Sequence, residues 1–407
     1  MLCQYSSPGF MNTYIIVGII LFSAFNYQYK GNRNYFKNEF LYDKISRVEP
    51  RLIQFDDTIP NDTVYICFTA NQFPYAYFRE IVTNVYSDNN YFPVQLLLYW
   101  SPGGDFIGYS IKDNGILTRK GHIPFDEQDY IRLHHLLDDP KSLLENYKLS
   151  DLVSYEQTTL KIDGENNAAS TNIENTVKVD AISRATTTDV KDYVVEGAAL
   201  ITYILWHTVY GPTYDSIKNI SLEYMSPSFL ENLLYSPYIE DNYYALFNLN
   251  HGEFDVTKAF IPKLEAFITT DDFLLRENSI DALVSSGLPD SLIQESLMNV
   301  FKRSDYETKH RILRILNTCS YLSANTIEKL TDYLPEESVP IIQKVINLLQ
   351  SRVEPDITIK LKIADLLENN NRFIAKMAYD YLSSLDHHEK ILSEKIRKYE
   401  TMLDQHK

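Results

Sequence analysis

The sequence predicts an α+β N-terminal domain followed by an all-α C-terminal domain of HEAT-like helix pairs. In the first half, short apolar runs bounded by Asn, Asp, Gly and Pro predict buried strands mixed with helices. From about residue 212 onward, amphipathic helices follow one another without strand-like alternation. The chain has 407 residues, which is more than one hydrophobic core usually supports. We therefore expect a signal peptide or membrane anchor and tether at 1–37, the α+β domain at 38–211 and the helical repeats at 212–407.

The charge balance argues against nucleic-acid binding. Lys and Arg total 38 against 55 Asp and Glu, a net charge of −17, and no dense basic run offsets that field locally. Such a surface repels a phosphate backbone. Cys3, Cys67 and Cys319 are far apart and form no CxxC pair. The sequence therefore predicts neither a zinc site nor a disulfide framework.

The N-terminal segment predicts export or membrane attachment. Residues 14–25 form an uninterrupted apolar run, too short for a comfortable membrane span but suited to the core of a signal peptide. We expect an exported or periplasmic protein that is associated with the membrane through this segment. Lys30, Arg33 and Lys37 follow the run. By the positive-inside tendency, these basic residues would hold the body of the protein in the cytoplasm, which argues against export. A buried N-terminal helix or a cytoplasmic body remains the alternative.

The elements of the first domain follow from periodicity and turn signals. Strands are predicted at 63–70, 93–99 and 106–111, and a helix is predicted from the N-cap Asp126 to Asp138. A second short helix is predicted at 142–153, and residues 157–176 are rich in Asn, Thr, Glu and Ala, as in a mobile loop. A strand at 177–182 is then followed by a helix from the cap Asp189 to Tyr210. That helix is apolar on nearly all sides, so we expect it to be buried.

The second domain is predicted to bind a protein partner. Helices with apolar residues at i, i+3, i+4 and i+7 are predicted at 272–285, 290–301, 306–319, 323–333, 339–351, 357–369 and 372–385, with a charged final helix at 389–403. Such helices must stack to bury their apolar faces, and stacked pairs form extended concave surfaces. The sequence does not fix a repeat period, so a non-repetitive helical domain remains the alternative.

A Thr-rich segment at 180–188 resembles the attachment motif of FMN-binding domains, Asp-x-x-Ser/Thr-Gly-Ala-Thr-x-Thr/Ser. The matching residues are Asp180, Ser183, Ala185, Thr186 and Thr188. The resemblance implies that a flavin transferase joins FMN through its phosphate to Thr188. Arg184 replaces the Gly of the family, and it either blocks the backbone approach or pairs with the phosphate. The alternative is a strand–turn–helix junction in which a hydroxyl side chain merely caps the helix.

A wider resemblance covers most of the chain. Residues 122–125, 129–134 and 197–207 are similar to segments of uncharacterised bacterial exported proteins that join an FMN-binding-like region to HEAT-like repeats. The resemblance implies a flavin carrier that positions a redox group beside a partner, because a tethered flavin relays electrons between other centres. We therefore expect an electron-transfer or binding module rather than a stand-alone enzyme. The alternative is a cofactor-free scaffold that only binds proteins.

Other chemistry has weaker support in the sequence. His122, His134 and His207 invite a metal hypothesis, but they lack zinc-type spacing and no metal is predicted. Core packing is the expected role of His134 and His207, because both lie in apolar helices. No GxSxG, HExxH or Gly-rich phosphate loop occurs. The chain contains 31 tyrosines, with a cluster at 235–244. Such a cluster suits either a binding interface or helix packing.

Overall fold

The computed structural model describes residues 33–54, 62–87, 90–148, 190–252, 254–385 and 389–405. Its internal contacts divide the chain into two compact units, Met1–Asn242 and Tyr243–Lys407. The first unit contains a sheet with helices and the second is helical. The architecture is therefore α+β followed by all-α, as predicted from the sequence.

The first unit is built on a six-stranded antiparallel sheet. Its strands are β1 Arg33–Phe36, β2 Arg47–Ile53, β3 Asp62–Phe68, β4 Pro74–Ser87, β5 Asn90–Trp100 and β6 Phe106–Ile111. The order is β1-β6-β5-β4-β3-β2, so the strands from β2 to β6 form a meander and β1 pairs with β6. Three of these strands, β3, β5 and β6, confirm the strand predictions, whereas β1, β2 and β4 were not predicted.

Both faces of this sheet are buried, which explains why its central strands are apolar runs rather than alternating sequences. One face packs Ile66, Leu98 and Trp100 into the larger core. The opposite face buries a smaller core around Tyr99 and Tyr238. All six residues of β6 are buried. Tyr238 of the tyrosine cluster is therefore a packing residue.

Five helices follow the sheet: α1 Glu127–Leu137, α2 Ala199–Val209, α3 Pro212–Leu222, α4 Pro227–Leu234 and α5 Ile239–His251. The first four lie in the first unit, and α5 begins there and ends in the second unit. The start of α1 is the predicted one, because Asp126 and Asp129 form a reciprocal capping box. The indole of Trp100 donates to the carbonyl of Val209 at 3.0 Å, which ties the end of α2 to the sheet. The Tyr77 hydroxyl lies 2.9 Å from Ser221 Oγ and holds α3 in the same way.

Two predicted helices of the first unit differ from the structure. Instead of a helix at 142–153, Leu143–Asn146 forms a short 3₁₀ turn that gives way to extended backbone at Tyr147. The helix expected from Asp189 to Tyr210 is instead a 3₁₀ helix at Val190–Tyr193 and an α-helix that begins at Ala199, and between them Gly197 adopts a left-handed backbone with φ of +71°. The predicted loop at 157–176 and strand at 177–182 lie outside the described residues.

The helix α2 is also less buried than predicted. Leu205 and Val209 are fully buried, but Leu200 is 38% exposed and Ile204 is 45% exposed. The expectation of burial on all sides is wrong for this helix, because only one face of it meets the core.

The second unit contains nine further helices in the described residues: α6 Ile261–Ile268, α7 Phe273–Ser285, α8 Asp290–Phe301, α9 Tyr306–Thr318, α10 Ala324–Tyr333, α11 Val339–Arg352, α12 Ile357–Ala364, α13 Arg372–Ser383 and α14 Lys390–Gln405. Helices α7 to α14 confirm the sequence prediction with one local difference, whereas α6 was not predicted. The helix predicted at 357–369 tightens into a 3₁₀ turn at Asp365–Glu368.

The helices of the second unit recur every 33 residues. Helices α7, α9, α11 and α13 begin at Phe273, Tyr306, Val339 and Arg372, and α10, α12 and α14 begin with the same interval. Buried residues recur with them, in a column formed by Leu283, Leu316, Leu349 and Leu382. Alternate helices contact each other: α8 packs on α6 and α10, α10 on α12 and α12 on α14, while α9 packs on α11 and α11 on α13. The period that the sequence left open is therefore 33 residues.

Candidate functional site

The residues predicted to hold the flavin lie outside the described part of the chain. This applies to Asp180, Ser183, Arg184, Thr186 and Thr188. The apolar run at 14–25 also lies outside it. Among the described residues, no helix combines the length and the apolar character needed to cross a bilayer.

The three histidines occupy separate environments. His207 Nε2 lies 3.2 Å from the carbonyl oxygen of Leu144, in a hydrogen bond that suits a packing residue. His134 faces Phe106 with ring centroids 5.9 Å apart, and burial lowers its pKa. Its Nδ1 atom is buried without a hydrogen-bond partner among the described residues. His122 is exposed in a short turn. Within the described ranges, no group of three His, Cys, Asp or Glu side chains is arranged to hold a metal ion.

The segments at 122–134 and 197–207 meet at one junction of the first unit. Arg119 forms a bidentate ion pair with Asp129, with Nε to Oδ2 at 2.7 Å. The next residue, Lys120, donates its backbone N–H to the carbonyl of Gly197 at 2.7 Å. The indole of Trp206 donates to the carbonyl of Asp139 at 2.9 Å. These contacts tie the residues that flank α1 to Gly197, just before α2, and to Trp206 of α2, which gives the segments a structural role.

A first candidate site is a cavity of about 400 Å³ in the first unit, which we call the carboxylate cavity. Its lining includes Lys37, Asp105, Asp138, Tyr210, Tyr214 and Glu240. The turn before β6 shapes it, because Gly104 has φ of +95° and the Tyr214 ring lies where a side chain on Gly104 would be. Any larger residue at this position would displace the ring that forms one wall.

The charges of the carboxylate cavity are largely compensated inside the protein. The Lys37 ammonium pairs with Asp105 at 2.7 Å and also with Asp138. Lys218 donates to the Tyr214 hydroxyl at 2.6 Å, and that hydroxyl donates to Glu240 at 3.3 Å. Burial raises the pKa of Asp105 and that of Glu240 and lowers the pKa of Lys218. Perturbed groups can mark a functional site, but structural ion-pair networks produce the same effect.

Ion pairs between helices one repeat apart are a regular feature of the second unit. Lys362 pairs with Asp332 at 2.6 Å, and Lys395 pairs with Asp365 at 2.7 Å. Similarly, Arg311 of α9 pairs with both Glu277 and Asp281 of α7. Other pairs between successive repeats include Lys302–Glu336, Lys309–Glu337 and Lys398–Glu368. We call this set of pairs the ion-pair ladder, because each pair joins one step of the stack to the next.

The second candidate site lies on the α9–α11 face, as a groove of about 450 Å³ that we call the α9–α11 groove. Helix α9 contributes His310, Leu313, Arg314 and Asn317, and α11 contributes Lys344, Asn347, Leu348 and Ser351. On each helix these residues have the spacing i, i+3, i+4 and i+7, so they form one continuous face. Leu313 and Leu348 are buried and form the floor, whereas Arg314 and both asparagines are exposed.

The groove differs from the carboxylate cavity because its cationic side chains are not paired with carboxylates in the described part of the chain. Within the described part of the chain, neither Arg314 nor Lys344 has a carboxylate at ion-pair distance. The groove residues form no sequence motif and were not predicted from the sequence. The only signal is their position in the 33-residue period, which becomes visible once the helix bounds are known.

Comparison with protein-family models gives no match, and comparison with the curated proteins gives no significant similarity. Function is therefore inferred from the geometry and chemistry of this chain.

Proposed function

We propose that the second unit is a solenoid of paired helices that acts as a scaffold for a protein partner. The observation that carries this proposal is the recurrence of helix starts and buried leucines every 33 residues. In such an array each repeat buries its apolar face only against its neighbours, and the stacked helices leave an extended face available for binding.

The period limits the kind of repeat that we propose. HEAT and armadillo repeats are typically about 40–47 residues long, whereas helix–turn–helix repeats of about 34 residues are also common. An interval of 33 residues therefore supports a HEAT-like stack only in the general sense of helix pairs arranged in two rows. The ion-pair ladder supports the same arrangement, because both residues of the pair Lys395–Asp365 lie 33 positions after those of the pair Lys362–Asp332.

The scaffold proposal is tested with a photo-crosslinking amino acid placed in the full-length protein. We expect the probe at Asn347, in the α9–α11 groove, to give a discrete adduct with a partner protein in the native cell. The same probe at Glu295, an exposed residue of α8 that does not line the groove, is the matched control. Absence of an adduct at Asn347, or identical adducts at both positions, would contradict a partner site on this face.

The flavin-carrier hypothesis is a second proposal and is supported by the motif at 180–188 alone. If FMN is attached at Thr188, the scaffold would position the flavin beside the partner that the helices bind. The two proposals are independent, because a cofactor-free first unit leaves the binding role of the helices unchanged.

A further inference from the structure

At the step from α9 to α11, basic residues occupy the positions that are acidic at the step from α7 to α9. At the preceding step, Arg311 pairs with Glu277 and Asp281. The residues 33 positions later are Lys344, His310 and Arg314 respectively. The cation is thus retained as Lys344, while the two acidic positions are occupied by His310 and Arg314.

The reversal leaves positive charge concentrated in the α9–α11 groove. All three side chains line it, together with the amides of Asn317 and Asn347. In the described part of the chain no carboxylate is paired with Arg314 or Lys344. Two like charges that face one groove repel each other. The chain as a whole has a net charge of −17, so a basic groove contrasts with the overall charge of the protein.

The remaining lining residues indicate what kind of anion fits. The two asparagine amides each offer both donors and an acceptor, which match the N–H and C=O of a peptide backbone. The apolar floor formed by Leu313 and Leu348 suits one apolar side chain. From position 310 to position 317 the groove runs along about 10 Å of helix, which corresponds to about three residues of extended peptide.

We propose that the α9–α11 groove binds an extended acidic segment of a partner protein, with Asp or Glu residues on either side of one apolar residue. The carboxylates pair with Arg314 and Lys344, because a planar guanidinium matches a carboxylate well. The peptide backbone bonds the amides of Asn317 and Asn347. This inference rests on the proposed scaffold function and specifies its partner.

A nucleic acid is a poorer match to the same groove. Its phosphates recur along the whole strand, so a nucleic acid meets the field of an acidic protein over a long surface. A short acidic peptide places only two or three charges within one screening length of the groove. The apolar floor also has no counterpart in a phosphate backbone.

The test is a fluorescence-anisotropy titration of the full-length protein with the labelled peptide Gly-Glu-Leu-Glu-Glu-Gly at low ionic strength. We expect saturable binding that weakens as salt is added. Arg314→Gln and Lys344→Gln should each raise Kd several-fold, up to about fivefold, because an ion pair at the protein surface contributes at most about 1 kcal/mol. Arg303→Gln removes an exposed cation that does not line the groove, and it should leave Kd within about twofold.

Two control probes make the result specific. The peptide with Gln in place of every Glu should bind at least about tenfold more weakly. A labelled oligothymidine that binds as tightly as the acidic peptide would overturn the assignment to a peptide, and so would acidic-peptide binding that Arg314→Gln and Lys344→Gln do not change. Failure of the acidic peptide to bind, with an adduct still formed at Asn347, would reject this inference and leave the scaffold proposal standing.

Discussion

Asp241 at the start of α5 offers the sharpest test of the first unit. Its carboxylate is buried and accepts hydrogen bonds from the backbone N–H of Gly103 and the hydroxyl of Ser236, both at 2.5 Å. Burial is the dominant influence, and it raises the pKa of Asp241 from 3.8 to about 6. Between these two values the folded protein holds a proton that the unfolded chain has released.

The sign and size of the effect follow from proton linkage. Because the folded state binds more protons in this interval, the free energy of unfolding falls as the pH rises. The contribution is fully present below about pH 3.8 and is lost above about pH 6, and the difference amounts to about 3 kcal/mol. Asp241→Asn cannot titrate. Its amide oxygen can still accept from Gly103, and its N–H can donate to the hydroxyl of Ser236.

Urea unfolding followed by tryptophan fluorescence measures this contribution. The chain has 2 tryptophans, Trp100 and Trp206, and both are buried in the first unit, so the signal reports that unit. We expect Asp241→Asn to gain about 3 kcal/mol relative to the parent between pH 4 and pH 7. Asp215→Asn, which removes an exposed carboxylate of the same unit, is the control. Parallel stability curves for Asp241→Asn and the parent would refute a raised pKa at this site.

Three other changes test the helical repeats and the flavin motif. Leu316→Ala should cost about 2–5 kcal/mol in urea unfolding followed by circular dichroism, because it opens a cavity in the buried leucine column; Ile391→Ala, at an exposed apolar site, should change stability by no more than about 0.5 kcal/mol. Asp305→Ala should cost about 1 kcal/mol in the same assay, since Asp305 caps the first turn of α9. Thr188→Ala should abolish an FMN adduct in the intact mass of protein made with its flavin transferase, whereas Thr187→Ala should retain it. An unmodified parent protein without flavin absorbance would end the flavin hypothesis.

The helices of the second unit were predictable because their signals are local. Asp290–Phe301 has the predicted bounds, and the predicted helix starts at 272 and 323 are the N-cap residues Asp272 and Ser323, one position before the observed helices. A cap and an apolar stripe depend on residues within one or two turns. No distant contact is needed to recognise them.

The edge and long strands were missed because their signals depend on distant contacts. β4 carries Arg79 and Glu80 in its middle, which interrupts the apolar pattern. In the fold, Arg79 pairs with Asp62 of β3 and donates to Thr213 Oγ1 of α3 at 2.8 Å. A charged residue inside a strand is stable only with such partners, and the sequence does not reveal them.

The repeat period was hidden for a related reason. Its buried positions vary in both size and polarity, as in the column formed by Ser279, Ile312, Val345 and Ala378. Packing against neighbouring helices allows one position to be small where another is large. Since the α9–α11 groove is recognised only by comparing equivalent positions, the candidate site could not be predicted before the period was known.

The basic residues at the α9–α11 step should lower the stability of the protein and enable it to bind the acidic peptide. Restoring the acidic residues with His310→Glu and Arg314→Asp gives Lys344 two carboxylates, as Arg311 has in Glu277 and Asp281. Exposed pairs contribute about 0.2–1 kcal/mol each, so the double variant should be more stable by about 0.5–2 kcal/mol.

The same double variant should lose the acidic peptide, because the groove then carries the charge of its ligand. A purely structural role for the basic residues predicts the opposite effect on stability, since the change would remove useful contacts. Urea unfolding and peptide titration of one protein therefore separate the two explanations. A variant that is less stable than the parent, or that still binds the peptide, would show that the charge reversal does not serve recognition.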